Sequence, residues 1–242
     1  MNARTERAGL KPKNRFHFLI ISALALCVCS LPAKSDTVLF SDLGPSTAPY
    51  DLFNGGYYAA GSANPLGTPG LLAEQFTVAG VSNFSVSEID LALTNAGLCC
   101  TNGFSASIWT DVAGTVGTQV TGADWSGAVG VPACCATDLT PITDITGVTL
   151  SGGQAYFLVL GPSSPTDFVT WHSNNQGVTG DVQFLELGGG LASDFGANST
   201  LGAFEILGNT ETANTPEPML MPLLLSGIGF AITYRRKSQR PR

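Results

Sequence analysis

Between Ser35 and Tyr234 the chain contains neither lysine nor arginine. All 11 basic residues lie at the ends: Arg4, Arg7, Lys11, Lys13, Arg15 and Lys34 before that stretch, and Arg235, Arg236, Lys237, Arg240 and Arg242 after it. The stretch between them holds every one of the 18 acids except Glu6. Such a body excludes whole classes of function. A nucleic-acid binder sets cations against phosphate, and none are there. Arginine clamps for phosphate or carboxylate substrates are absent, and so is the lysine of a phosphate-binding P-loop. With 44% apolar residues the chain can still build a real core, although only 12% of it is charged, about half the usual share.

The apolar pattern in that body has the period of β-strands. In Glu88-Ile89-Asp90-Leu91-Ala92-Leu93 the apolar Ile89, Leu91 and Leu93 share one face, and Glu88 and Asp90 share the other. Phe104, Ala106 and Ile108 alternate with Ser105 and Ser107. The run 154–160 is apolar on both faces, as a central strand covered on two sides should be. Further strands are expected at 37–40, 74–78, 116–120, 148–150, 167–171, 182–187 and 203–207. Turns rich in Gly and Asn separate them, such as Asn54-Gly55-Gly56, Ser151-Gly152-Gly153 and Gly188-Gly189-Gly190. No helical period longer than two turns occurs outside the ends. The expected fold is all-β: a single antiparallel β-sandwich of the jelly-roll kind over residues 36–207, flanked by an N-terminal signal helix and a C-terminal transmembrane helix.

Both ends read as addresses. Residues 1–35 have the layout of a secretory signal peptide: five basic residues up to Arg15, an apolar run from Phe16 to Leu31, Pro32, and then the small-x-small site Ala33-Lys34-Ser35. Cleavage is expected before Asp36. Residues 208–215 are polar and form a linker. Then follow Thr215-Pro216-Glu217-Pro218, an apolar run from Met219 to Tyr234, and the basic tail 235–242. As a helix that run would span about 24 Å, short of the roughly 30 Å hydrocarbon core but extendable by its flanks. The cations of the tail should stay cytoplasmic, which puts the body outside.

The succession of Pro216-Glu217-Pro218, short apolar helix and terminal arginines resembles the PEP-CTERM sorting signal of bacterial envelope proteins, over about the last 27 residues. The resemblance implies export by the Sec machinery and transient anchoring in the inner membrane. Recognition by an exosortase-type processing enzyme would follow, with release to the cell surface or an exopolysaccharide matrix. On that reading Pro216, Glu217 and Pro218 are substrate residues rather than catalytic ones. The body is similar, through degenerate stretches such as 73–78, 108–118 and 153–160, to the choice-of-anchor type of exterior domain. That similarity carries no catalytic residues with it.

Removal of the signal peptide leaves Cys99, Cys100, Cys134 and Cys135, an even number in an exported chain, which argues for disulfides. Neighbouring cysteines bridge each other only through a strained ring. Two cross pairings therefore stay open, Cys99–Cys135 with Cys100–Cys134, or Cys99–Cys134 with Cys100–Cys135. The rival reading, four thiolates on one metal, suffers from the doublet spacing. His172 is the only histidine of the body, and no G-x-S-x-G elbow accompanies it. Trp125, Trp171, Tyr57 and Tyr58 are candidates to stack on sugar rings. No cofactor is expected except calcium, for which residues 174–181 and 194–198 offer oxygen ligands without an EF-hand pattern. The sequence thus predicts a non-enzymatic, exported structural or weakly glycan-binding protein. The alternative is a secreted polysaccharide or ester hydrolase.

Overall fold

The computed structural model describes residues 36–53, 55–64, 68–95, 103–125, 128–129, 131–132, 138–188 and 190–211. The signal peptide, the four cysteines, the Pro-Glu-Pro motif, the apolar run 219–234 and the basic tail all lie outside these residues.

Strands dominate what is described. In chain order they are β1 (Thr37–Ser41), β2 (Gly56–Ala60), β3 (Leu71–Thr77), β4 (Asn83–Leu91), β5 (Leu93–Thr94), β6 (Gly103–Asp111), β7 (Val116–Asp124) and β8 (Ala128–Val129). There follow β9 (Thr140–Ile142), β10 (Thr149–Ser151), β11 (Ala155–Pro162), β12 (Phe168–His172), β13 (Thr179–Leu185), β14 (Leu191–Thr200) and β15 (Phe204–Thr210). All pairings are antiparallel. One sheet runs β1-β15-β4-β10, with β9 also on β4. A larger one runs β14-β13-β3-β11-β6-β7, with β8 also on β6. A small third sheet runs β2-β12-β5. Among the described residues no helix is long and apolar enough to cross a membrane.

Side chains from both larger sheets meet in one buried cluster. Leu39, Ile89, Leu150 and Ile206 come from the five-stranded sheet, and Leu72, Phe104, Ile108 and Leu158 from the seven-stranded one. An aromatic chain runs through it: Phe40 lies 4.7 Å from Phe204, Phe204 meets Phe76 edge-on at 5.8 Å, and Trp171 meets Phe204 at 5.5 Å. β11 is buried on both faces. Tyr156, Leu158 and Leu160 join the main cluster, while Phe157 and Val159 join Ala73 and Leu185 in a second one on the other face. That is the doubly covered strand its continuous apolar run predicts.

The ten strands expected from the sequence all occur, with shifted ends. The expected strand at 88–93 is divided between β4 and β5, and four further strands were not expected: β2, β8, β9 and β14. β14 replaces what reads in the sequence as a loop at 194–198. It pairs only with β13, forms an edge of its sheet, and leaves most of its side chains in solvent.

Candidate functional site

An apolar cavity large enough for a small ligand lies where β2 approaches the β13–β14 hairpin. Its volume is about 500 Å³, and its walls include Tyr57, Tyr58, Leu72, Phe184, Ser193 and Phe195. Strand alternation explains the assembly. Register pairs Phe184 with Ser193, so both leave the hairpin on the same side, with Phe195 two residues further along β14. From the other wall the Tyr57 ring lies 5.6 Å from the Phe195 ring. Burial raises the Tyr57 phenol above its usual range, the nearby Glu74 carboxylate adds to this, and a hydrogen bond with Ser199 opposes both. The Tyr58 ring stacks on Phe168 at 5.3 Å and remains 42% exposed.

Two of the four aromatic residues expected to stack on sugars therefore converge on one cavity. The other two do not. Trp171 is 0% exposed, packs on Phe204, and donates its indole N–H to the Ala203 carbonyl at 3.1 Å. It cannot present a face to a sugar, and the expectation for it is corrected: it is a core residue. The lack of a side chain at Gly202 makes room for it, since a Cβ there would stand 2.7 Å from the indole and 2.8 Å from Glu74 Oε1. Trp125 is half-buried and packs against the core away from the cavity. Phe184 and Phe195, which nothing in the sequence singled out, supply half of the aromatic wall.

His172 ends β12 beneath the stacked ring of Tyr50, at 5.2 Å. Its Nε2 is 2.6 Å from Thr94 Oγ1. Burial holds the imidazole below its ordinary range, against the opposing influence of Asp51. A hydroxyl hydrogen-bonded to an imidazole is the minimal nucleophile–base pair. Here Thr94 is 1% exposed, so a substrate would reach it only if the strands parted. The pair ties β5 to β12.

Two carboxylates are buried between the sheets without a cation. Glu74, on the inner face of β3 beside Leu72 and Phe76, is 0% exposed. Its Oε2 accepts the Gly202 N–H at 2.6 Å, and its Oε1 has no partner. Asp42 accepts the Phe204 N–H at 2.7 Å through Oδ1, while Oδ2 has none. Burial raises Glu74 far above its usual range, and the charge of Asp42 adds to it. Asp42 is pushed up to about 7, chiefly by burial, with backbone hydrogen bonds pulling the other way. Both acids dock the segment leading into β15.

A third acidic group lies on the outer face of the seven-stranded sheet. Asp181 on β13 meets Asp194 on β14, with Asp111 of β6 nearby. Gln183, fully buried, donates to Asp181 Oδ2 at 3.2 Å and to the Gly114 carbonyl at 2.6 Å. The β6–β7 turn thereby folds over it. That turn has Ala113 and Gly114 both in the left-handed region, φ 53° and 82°, as a two-residue hairpin requires. Among the described residues no three carboxylate, imidazole or thiol side chains already converge as a metal cage. Of the residues expected to offer calcium ligands, Asn174 instead knits its own loop, accepting Val178 N–H at 3.0 Å and donating to the Val178 and Leu201 carbonyls.

No protein-family model matches this chain, and no curated protein is significantly similar to it in sequence. The PEP-CTERM and choice-of-anchor likenesses rest on the residues quoted for them.

Proposed function

We propose that this is an exported protein of the bacterial envelope whose body, an antiparallel β-sandwich of the jelly-roll kind, binds a neutral glycan in the cavity between β2 and the β13–β14 hairpin. Export rests on the signal-peptide layout of residues 1–35. Sorting by an exosortase-type enzyme rests on Pro216-Glu217-Pro218, the apolar run 219–234 and the basic tail. The observation that carries the binding role is the aromatic wall of Tyr57, Tyr58, Phe184 and Phe195 around about 500 Å³. The C–H faces of sugar rings gain apolar contact on such rings, and a few convergent polar groups fix their orientation. Charge selects the class of sugar. With no lysine or arginine in the body, an acidic polysaccharide meets no basic side chain, which favours an uncharged ligand.

The test is retention of the full chain on immobilised neutral polysaccharides. Tyr57→Ala and Phe195→Ala should each weaken retention by about tenfold, roughly the loss of one stacking contact. Trp125→Ala should leave it unchanged. Phe195 is 52% exposed, so its replacement does not threaten the core. Equal retention of both variants and the unaltered chain would rule the cavity out as the site. Turnover of the polysaccharide would instead support the hydrolase alternative.

A further inference from the structure

We propose that the Asp181–Asp194 pair, with Asp111 beside it, is a divalent-cation site, taken by Ca²⁺ in the medium outside the cell. One of its oxygens is orphaned. Asp181 is 6% exposed; Oδ2 accepts from Gln183, and Oδ1 is buried with no donor. Besides Gln183, its carboxylate comes up against a second one, that of Asp194. Two such groups repel unless a proton or a cation lies between them. The chain, moreover, supplies no cation of its own: no lysine or arginine occurs between Ser35 and Tyr234, and the body's one histidine is engaged with Thr94 on the small sheet.

The surroundings favour a hard cation. Register places Gln183 opposite Asp194, and Asp181 lies two residues before Gln183, so all three leave the hairpin on one face. Asp111 stands on the same side, held by Gln75 Nε2 at 3.0 Å and by the Gly114 N–H at 2.6 Å. Gly114 itself packs over Asp181, where a Cβ would lie 3.7 Å from Oδ2. Ca²⁺ takes six to eight oxygen ligands, so the two carboxylates would supply the first of them and carbonyls and water the rest. Asp194 also separates Ser193 from Phe195, both in the cavity wall. A cation held there would fix β14 and the aromatic wall with it. The cation site stands independently of glycan binding, because its test reads metal alone.

The experiment is calorimetric titration of CaCl₂ into the chelator-stripped full chain near neutral pH. One Ca²⁺ per chain is expected, with a Kd of about 10⁻⁴–10⁻³ M, as in extracellular modules. Asp194→Asn and Asp181→Asn should each weaken it by about tenfold or more. The control is Asp90→Asn, in the separate acidic row formed with Glu88 and Glu205 on the five-stranded sheet; it should bind normally. Asp194 is exposed, so that variant decides the matter even if Asp181→Asn misfolds. Absence of saturable binding in the millimolar range would overturn the proposal and leave a shared proton as the cement of the pair. Unchanged binding by Asp194→Asn, or an equal loss in Asp90→Asn, would overturn it as well.

Discussion

The thermal midpoint of the chain is expected to fall by about 10 °C between pH 4 and pH 8, the reverse of the usual acid sensitivity. Asp42 is one cause. Its carboxyl titrates near 3.8 in the unfolded chain and at about 7 in the folded one. The folded state therefore binds the extra proton, and stability falls with pH across that window. The contribution is fully present below about pH 3.8 and is lost as pH rises through 7. A rise of that size in the carboxyl's proton affinity corresponds to about 4 kcal/mol, and a chain of this length moves by some 2–4 °C for each kcal/mol. Glu74, raised in the same direction and by the same burial, adds to the loss. Asp42→Asn keeps the shape of the neutral acid and should make the profile shallower, with Glu74 carrying the remaining slope, and should leave the variant more stable than the unaltered chain at pH 8 by about 3 kcal/mol. Calorimetric melts of both proteins across pH 4–8 check this. A midpoint that holds level or rises with pH would sink the role given to the buried acids.

Trp171→Ala should destabilise the chain by about 4 kcal/mol at every pH, the range for emptying a large buried aromatic site. The indole fills the space above Gly202 and lies edge-on to Phe204, and its loss also strips the Ala203 carbonyl of a donor. Any loss of glycan retention in this variant should follow unfolding, with the far-UV signal collapsing at the same temperature. Phe195→Ala should lose retention with its stability unchanged within about 0.5 kcal/mol, as surface replacements do. Denaturant melts of the two variants separate a core role from a binding role. A Trp171→Ala chain as stable as its parent would contradict the placement of that residue.

β4 and β6 were legible because one face of each is buried and the other is not. Ile89 and Leu91 turn inward on β4 while Glu88 and Asp90 turn outward, as their alternation predicts. β14 was illegible for the same reason in reverse. Leu-Ala-Ser-Asp-Phe-Gly-Ala-Asn-Ser-Thr sees solvent along nearly its whole length, so no period is imposed on it and it reads as a loop. Of the aromatic cavity, Tyr57 and Tyr58 were visible as a pair after a glycine turn. Phe184 and Phe195 were not, because only the hairpin register brings them to the same wall. Trp171 looked like a surface aromatic beside a histidine; its burial depends on Gly202, far along the chain. The pairing of Asp42 with Glu74, and of Asp181 with Asp194, likewise comes from topology. A sequence states that the acids lack cations but not which acids meet.

The proposed export, and the proposed removal of residues 219–242, are tested by the intact mass of the protein recovered from its native host. Trypsin is a poor tool, since nothing between Ser35 and Tyr234 offers it a site. The expected species begins at Asp36 and ends near Pro216–Pro218. Comparison of reduced and non-reduced samples would also report whether Cys99, Cys100, Cys134 and Cys135 are bridged. A species that still carries Arg242 would contradict the claim.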